Sequence, residues 1–340
     1  MTVASLCSTQ LPWEQPGWLG PVSDWIHACL VQYGWRANGP LELLHRRPWS
    51  AFARQPTDIG PVYFKAPAPA YAYEARLTQA LARWRPDCTV PLLGVDFERG
   101  WMLSADAGIT LRSLTRAPDQ LEHWFAILPL YSQLQIEMAD HLDELLALGL
   151  RDHRPVHLPQ QYAELLEDTE SLLLGQESGL TADEYRRLCD LRDGVLRLCR
   201  QLDGYGLPET LVHEEVHENN VIFGSGRYTF TDWSDCSVAH PFFSMLVTER
   251  TLVHWLSLDE NGPELQRVRD AYLEPWTTYA PRAELLEALR LAYRLGMVNR
   301  ALSWHHGLAM LSKEQKAEYA DNVPGWLQDF LRAESAAPSD

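Results

Sequence analysis

The chain has 340 residues, 46% of them hydrophobic, and its 46 acidic against 29 basic side chains give a formal net charge of −17. The length exceeds what one hydrophobic core usually supports, and the apolar content excludes a disordered chain. The negative charge argues against nucleic acid or an anionic membrane as a partner and is compatible with a cationic small molecule. No apolar run approaches the ~20 residues of a membrane span.

The cysteines and the first residues bear on the compartment. The six cysteines include no C-x-x-C pair, and the N-terminal stretch lacks a basic start and is interrupted by Pro12 and Pro16. A secretory signal needs a basic start followed by a continuous apolar run. We therefore expect a cytoplasmic protein with reduced thiols.

The first hundred residues predict one helix and then a β-rich section. Ser23 can cap a helix at residues 23–33, where apolar side chains recur at helical spacing. Strands are predicted at residues 41–44, 52–53, 62–66, 90–95 and 101–104. A helix at residues 71–84 separates the third strand from the fourth, so the expected order is three strands, a helix and two strands.

Helices dominate the rest of the sequence. A long helix is predicted at residues 119–148, with a kink at Pro129. A capping box, Thr181 with Glu184, opens the later helix at residues 182–202. Further helices are predicted at residues 160–174, 242–256, 264–279, 282–311 and 313–332, the last with a break near Pro324.

Residues 211–236 combine a short apolar run, a polar loop and a β-hairpin. The arms of the hairpin are residues 221–223 and 228–231, and Gly224-Ser225-Gly226 between them supplies the φ > 0 positions of a tight turn. Because a hairpin holds its ends side by side, Asn220 and Asp232 are expected to converge. Their oxygens, with the carboxylate of Glu215 nearby in the loop, suit Mg²⁺ and phosphate.

This stretch resembles the protein-kinase-like small-molecule phosphotransferases of the aminoglycoside and choline kinase type. Their loop has the form His-Gly-Asp-Leu-His-x-x-Asn, and the following hairpin ends in Ile-Asp-Trp. The residues in register with these motifs are His213, Glu215, His217, Asn220 and Thr231-Asp232-Trp233. The resemblance implies that Glu215 is the base or the hydroxyl-positioning group. It also implies that Asn220 and Asp232 hold the Mg²⁺ that bridges the nucleotide phosphates.

The resemblance extends to the β-rich section. Lys65 on the third predicted strand resembles the phosphate-binding lysine of the family, and Glu74 on the following helix resembles its partner. The implied fold is α+β and two-lobed, like a protein kinase. Residues 1–104 would form the nucleotide-binding lobe with a small antiparallel sheet. Residues 105–340 would form the helical lobe with the catalytic loop, the metal-binding hairpin and the acceptor site.

The remaining nucleotide contacts are less marked in the sequence. No G-x-G-x-x-G motif stands between the first two strands, where Arg46-Arg47-Pro48-Trp49-Ser50 is found instead. Ser50 could contact phosphate through its hydroxyl group and neighbouring N–H groups. Met102 and Ser104 resemble the hinge whose main chain contacts the adenine edge.

Two departures from the family pattern leave an alternative open. Glu214 replaces the loop Gly and Glu215 replaces the catalytic Asp, while Ala239-His240-Pro241 replaces the usual Gly-Asp-Pro. The fold and the metal site tolerate these changes, but turnover depends on the position of the carboxylate. A nucleotide-binding pseudokinase with little turnover is therefore the alternative.

A zinc site is a third possibility in the same residues. The sequence from His213 to His217 matches H-E-x-x-H, the zinc-protease signature, which requires both histidines on one helical face. Gly206 and Pro208 upstream and Asn219-Asn220 downstream argue against a helix here. A zinc-dependent hydrolase is thus disfavoured.

The resemblance therefore implies transfer of the γ-phosphoryl group of ATP or GTP, with Mg²⁺, to a hydroxyl of a small molecule. The acceptor would be an aminoglycoside-like antibiotic or a metabolite, and the acidic composition favours a cationic one. Aromatic and histidine side chains of the late helices could line its site or could simply pack the core; they are Trp255, Trp276, Trp304, Trp326, His305 and His306.

Overall fold

The computed structural model describes residues 11–114 and 120–336. Cys7 and the predicted helix start at residue 119 lie outside the described residues. The strands are β1 Glu42–Arg46, β2 Ser50–Gln55, β3 Val62–Pro67, β4 Leu92–Asp96, β5 Trp101–Ala105, β6 Ile109–Thr110, β7 Arg151–Asp152, β8 Thr210–His213, β9 Val221–Gly224, β10 Arg227–Phe230 and β11 Cys236–Ala239.

The helices are α1 Leu19–Gln32, α2 Tyr73–Trp84, α3 Leu111–Leu114, α4 Gln120–Met138, α5 Leu142–Ala147, α6 Leu158–Glu167, α7 Ala182–Asp190, α8 Arg192–Asp203, α9 Ser244–Leu256, α10 Pro263–Leu273, α11 Arg282–Ala309, α12 Lys313–Ala317 and α13 Asn322–Ala336. The protein is therefore a mixed α+β protein, as predicted. No helix among the described residues is long and apolar enough to cross a membrane.

The chain forms two compact units, both assembled from separate segments. Unit 1 comprises Met1–Leu114, Glu218–Ser234 and Met310–Gln315. Unit 2 comprises Thr115–His217, Asp235–Ala309 and Lys316–Asp340. The sequence predicts a division of the chain by role, into a nucleotide-binding lobe of residues 1–104 and a helical lobe with the acceptor site at residues 105–340. That division stays a prediction.

Unit 1 contains a five-stranded antiparallel sheet in the order β1-β2-β3-β5-β4. Alternate residues of β3 point to opposite faces, so Phe64 is buried while Lys65 lies on the other face. Phe64 packs edge-on against Trp25 and Trp101, and α1 covers this side of the sheet. The sheet thus gives Lys65 a rigid base.

The predicted hairpin is confirmed as β9 and β10, and β9 also pairs with β6 in unit 1. Ser225 and Gly226 adopt left-handed φ angles of 51° and 75°, as a two-residue type I′ turn requires. Gly224 serves a different purpose, because a Cβ atom there would lie 2.0 Å from the carbonyl oxygen of Ala107. The hairpin therefore packs tightly on the segment before β6.

Unit 2 has its own small sheet in the order β7-β11-β8, and α4 and α5 pack against it. β8 runs antiparallel to β11, and all four of its residues are buried. The loop that carries Glu214 and Glu215 begins where β8 ends. Buried aromatic side chains, among them Trp124, Tyr131 and Tyr272, fill the core around α4 and α10.

Several helix boundaries differ from the predicted ones. α4 contains Pro129, as predicted, but the predicted long helix is divided at the 3₁₀ turn Ala139–His141, which separates α4 from α5. Trp124 and Tyr131, both buried, flank Pro129 along α4, and this packing maintains the helix despite the missing donor. α1 begins at Leu19, so Ser23 lies within it and is not its cap.

The helices between α5 and β8 are shorter than predicted. α6 ends at Glu167, because the carboxylate of Asp168 accepts from the N–H and hydroxyl groups of Ser171 and forms a turn. Residues 182–202 form two helices, α7 and α8, that meet at Leu191. The capping box of Thr181 and Glu184 is confirmed: Glu184 N–H donates to Thr181 Oγ1 at 3.2 Å, and Thr181 N–H donates to Glu184 Oε2 at 2.8 Å.

Candidate functional site

Lys65 lies between two carboxylates in unit 1. Its Nζ donates to Glu74 Oε1 at 2.5 Å and to Asp232 Oδ1 at 2.6 Å. Lys65 comes from β3, Glu74 from the first turn of α2, and Asp232 from the residues that follow β10. Three distant parts of the chain thus converge on one ammonium group.

The charges of this cluster do not balance, because two carboxylates share one ammonium. Burial alone would lower the pKa of Lys65, but Asp232 and Glu74 outweigh burial and raise it, so Lys65 stays protonated. Burial, opposed by Lys65 and reinforced by the charge of Asp232, raises the pKa of Glu74 to about 7. The cluster therefore carries excess negative charge. We expect this charge to attract a cation.

Asn220 and Asp232 stand at the two ends of the hairpin, as predicted. The N–H of Thr231 donates to the carbonyl of Asn220 at 3.0 Å, which keeps the two chain ends together. Asp232 has a left-handed φ of 64°, and its side chain remains 42% exposed. An amide oxygen and a partly exposed carboxylate are hard donors, so these residues fit Mg²⁺.

The structure places Ser50, Met102 and Ser104 in strands, and their nucleotide-binding roles stay predictions. The N–H of Ser50 donates to the carbonyl of Arg47, and its side chain is buried at the start of β2. Met102 and Ser104 lie in β5, between β3 and β4.

The H-E-x-x-H residues do not form a helix, so the zinc-protease geometry is wrong for this chain. His213 is the last residue of β8, and residues 214 and 215 form a turn. The N–H of Glu215 donates to Nδ1 of His213 at 3.1 Å. His213 is buried and orients the loop from within the core of unit 2.

Glu214 is the centre of a buried polar network in unit 2. It accepts hydrogen bonds from Ser237 Oγ at 2.9 Å, Ser303 Oγ at 2.6 Å and Arg300 Nη1 at 3.3 Å. Burial would raise the pKa of Glu214, but Arg151 and Arg300, helped by the hydrogen bond from Ser303, lower it. Glu214 is therefore a charged structural residue where the resembling loop has glycine.

Glu215 is bound by the same arginine. Arg300 Nη2 donates to Glu215 Oε1 at 2.8 Å, and the Glu215 side chain is 29% exposed. Arg300 was not predicted from the sequence. Its signal is that Asn299, Arg300 and Ser303 interrupt the otherwise apolar buried face of α11, which indicates a buried polar network.

His240 takes over a capping role where the resembling proteins have aspartate. Its Nδ1 accepts from the N–H of Phe242 at the start of the 3₁₀ turn Pro241–Phe243. Burial lowers the pKa of His240 to about 3, so the ring is neutral and can accept this bond. Asp235 instead pairs with Arg151 at 3.6 Å.

The aromatic residues of the late helices have different environments. Trp276 is fully buried and packs against Phe242, so it belongs to the core. Trp304 stacks on Tyr319 at 6.1 Å between ring centroids, with an interplanar angle of 21°. Trp326 lies under the guanidinium of Arg250 at 4.5 Å.

The remaining candidates for the acceptor region in unit 2 also have polar partners. Nε2 of His305 is 2.8 Å from a carboxylate oxygen of Asp168. Nε1 of Trp255 donates to Gln120 Oε1 at 3.0 Å. His306 is largely buried, and this burial, with the positive charge of Arg151 nearby, lowers its pKa to about 4.

The fold is shared with solved kinase structures although the sequence has diverged from them. No protein-family profile matches the sequence, and no curated protein matches it significantly. A choline kinase from Cryptosporidium parvum is 10% identical, with 95% of this chain and 93% of that chain covered and a TM-score of 0.58. An ethanolamine kinase from Plasmodium vivax is 12% identical, with coverages of 88% and 82% and a TM-score of 0.57.

A third solved structure, a phosphotransferase, has the same architecture. A macrolide 2′-phosphotransferase type I is 16% identical, with 88% of this chain and 96% of that chain covered and a TM-score of 0.55. At these identities the likeness establishes the fold and not the substrate. The resemblance that the loop and hairpin predicted is thus confirmed at the level of architecture, and the chain has the protein-kinase-like fold of the small-molecule kinases.

Proposed function

We propose that the protein is a phosphotransferase that moves the γ-phosphoryl group of ATP or GTP to a hydroxyl of a small molecule. The observation that carries the proposal is the contact of Lys65 with both Glu74 and Asp232. An ammonium fixed by a helix glutamate, beside an aspartate at a hairpin end, is the arrangement that phosphoryl transfer on this fold requires.

Each residue has a distinct task in the proposed reaction. Lys65 contacts the nucleotide phosphates, and Glu74 fixes the direction of its ammonium. Asn220 and Asp232 would hold Mg²⁺, which neutralises phosphate charge when bound. Glu215 orients the acceptor hydroxyl and takes its proton. Position matters most for Glu215, because the ordinary pKa values of Glu and Asp differ by only about 0.4 unit.

A nucleotide-binding pseudokinase is the second candidate, and the loop supports it. Glu215 stands where active relatives of this fold have aspartate, so its carboxylate projects one methylene further from the main chain. Single-turnover hydrolysis of Mg-ATP separates the two candidates. An active kinase is faster than its Glu215→Ala variant, whereas a pseudokinase that binds Mg-ATP is equally slow with either residue.

The test of nucleotide binding is a thermal shift with and without Mg²⁺. Mg-ATP or Mg-GTP at ~100 times its dissociation constant should stabilise the protein by about 2.7 kcal/mol. Lys65→Met and Asp232→Ala should abolish the shift, while Glu98→Ala, an exposed carboxylate of unit 1, serves as the control for lost charge. A shift that persists unchanged in both site variants would refute the proposed site.

For the acceptor we propose a cationic or amphipathic alcohol. The net charge of −17 favours cations, and the partly exposed stacked pair of Trp304 and Tyr319 in unit 2 offers an aromatic surface. In a screen of alcohols with Mg-ATP, we expect cationic compounds to be phosphorylated with the highest kcat/KM. Phosphorylation of only anionic or neutral sugars would contradict this assignment.

A further inference from the structure

One side chain connects the two unexpected residues of the loop. Arg300 reaches Glu214 with Nη1 and Glu215 with Nη2, at 3.3 and 2.8 Å. Arg300 is only 4% exposed and Glu214 1% exposed, whereas Glu215 is partly exposed. A buried guanidinium thus links a buried carboxylate on one side to an accessible carboxylate on the other.

The buried half of this connection is held from three directions. Ser237 on β11 and Ser303 on α11 both donate to Glu214. The N–H of Glu214 also donates to the carbonyl of Asp235 at 3.1 Å. Because Ser303 lies one helical turn after Arg300, α11 fixes both ends of the Glu214–Arg300 pair. The planar guanidinium of Arg300 therefore has little rotational freedom.

We propose that Arg300 is the positioning residue for Glu215 and that Glu214 anchors Arg300. The inference rests on the proposed function, in which Glu215 orients the acceptor hydroxyl. A glutamate on an aspartate's backbone path would misplace its carboxylate by about 1 Å or more, and such an error can cost ~10²-fold in rate. Arg300 gives the longer side chain one fixed direction, so Glu214, Glu215 and Arg300 form one functional set.

The experiment must not leave a buried charge without its partner. Removal of Arg300 alone would leave the buried carboxylate of Glu214 with Arg151 but without its hydrogen-bonded guanidinium, a change that destabilises proteins irrespective of catalysis. The cycle is therefore made in a Glu214→Gln background, where the amide oxygen can still accept a hydrogen bond from Arg300 and keep its guanidinium in place without a buried negative charge. Four proteins are compared: Glu214→Gln alone, with Arg300→Met, with Glu215→Ala, and with both.

The first measurement is single-turnover hydrolysis of Mg-ATP. With Glu215 present, Arg300→Met should lower the rate about 10²-fold. With Glu215→Ala already present, Arg300→Met should change it less than about twofold, because nothing remains to be positioned. The apparent dissociation constant of Mg-ATP, from the concentration dependence of the single-turnover rate, should not change, since Lys65, Asn220 and Asp232 are intact. Equal losses in both backgrounds would mean a merely structural role and would overturn the inference.

A conservative pair sharpens the result. In the otherwise unchanged protein, Arg300→Lys keeps the positive charge but cannot bind both Glu214 and Glu215 as a planar fork. We therefore expect a hydrolysis rate between those of Arg300 and Arg300→Met proteins. Glu215→Asp should slow the otherwise unchanged protein, because the shorter side chain no longer meets Arg300. A faster Glu215→Asp variant would show that Arg300 does not set the productive position.

The second measurement does not depend on turnover. In urea unfolding of the same four proteins, Arg300→Met and Glu215→Ala should be coupled by up to about fivefold in the unfolding equilibrium constant, as expected for a partly exposed ion pair. Additive effects would overturn the inference even if the protein proved inactive. Absence of both Mg-ATP binding and hydrolysis, with the coupling intact, would refute the proposed function but leave the Arg300–Glu215 contact established.

Discussion

Lys65 is a largely buried charged residue that both joins separate parts of unit 1 and belongs to the proposed nucleotide site. An isolated lysine on a buried strand would lose its charge, but Glu74 and Asp232 keep it protonated. The same sharing leaves Glu74 with less than one full counter-charge in a buried position. That imbalance has a measurable effect on stability.

We predict that Glu74→Gln removes part of the pH dependence of stability. The pKa of Glu74 is raised from 4.5 to about 7 in the folded protein, so its contribution is fully present below 4.5 and is lost as the pH rises through 7. The loss amounts to about 3 kcal/mol, because each pKa unit is worth 1.36 kcal/mol. Urea unfolding at pH 5 and pH 8 measures it.

The control for this prediction is Glu98→Gln, which removes one exposed carboxylate from the same unit. The wild type should lose about 3 kcal/mol more than Glu74→Gln between the two pH values. Identical pH profiles for the wild type and Glu74→Gln would show that Glu74 is ionised throughout this range.

At the scale of elements, the hairpin of β9 and β10 determines where the proposed metal ligands, Asn220 and Asp232, lie. Its turn residues and β-branched arms were sufficient to predict it from the sequence, because hairpins depend on local chemistry. Its contact with the segment before β6 was not predictable, because that contact depends on Gly224 meeting Ala107, which is distant in sequence. The two glycines of the turn therefore have different functions.

We predict that Gly224→Ala is more destabilising than Gly226→Ala. A Cβ on Gly224 would meet backbone at 2.0 Å, which cannot move cheaply, so a loss of about 3 kcal/mol or more is expected. Gly226 has a φ of 75° but no atom within 4 Å of an added Cβ, so its replacement costs about 1 kcal/mol. Urea unfolding compares them, and equal losses would contradict the packing argument.

The same contrast explains what the sequence could and could not predict. The order of elements along the chain, the hairpin and the convergence of Asn220 and Asp232 follow from local patterns, whereas Lys65 and Glu74 were identified through the resemblance to the kinase family. The partnership of Arg300 with Glu215 depends on residues brought together only by tertiary packing. The main-chain hydrogen bonds of Ser50 and Met102 likewise depend on strand register, which decides which main-chain groups are already paired.

On the scale of the whole molecule, unit 1 is discontinuous in sequence. The segment 218–234 belongs to it through the pairing of β9 with β6, the bond from Phe230 N–H to the Cys88 carbonyl at 2.9 Å, and the contact of Asp232 with Lys65. The strand β8, only a few residues upstream, belongs to unit 2. The chain therefore passes from unit 2 to unit 1 within this loop, between residues 217 and 218.

We predict that hydrogen exchange follows the units and not the sequence. Amides of β9 and β10 should exchange with the opening free energy of β3, because the hairpin is hydrogen-bonded and ion-paired within unit 1. Mg-ATP should raise the protection of β3 and of the hairpin by the same amount. Every amide that exchanges through an opening of the binding site gains the binding free energy in its opening free energy. Lys65→Met should remove this joint gain while leaving the protection of β8 unchanged. Native-state hydrogen exchange measured by mass spectrometry resolves these segments. If the protection of the hairpin instead follows that of β8, the hairpin opens with unit 2 and the prediction is wrong.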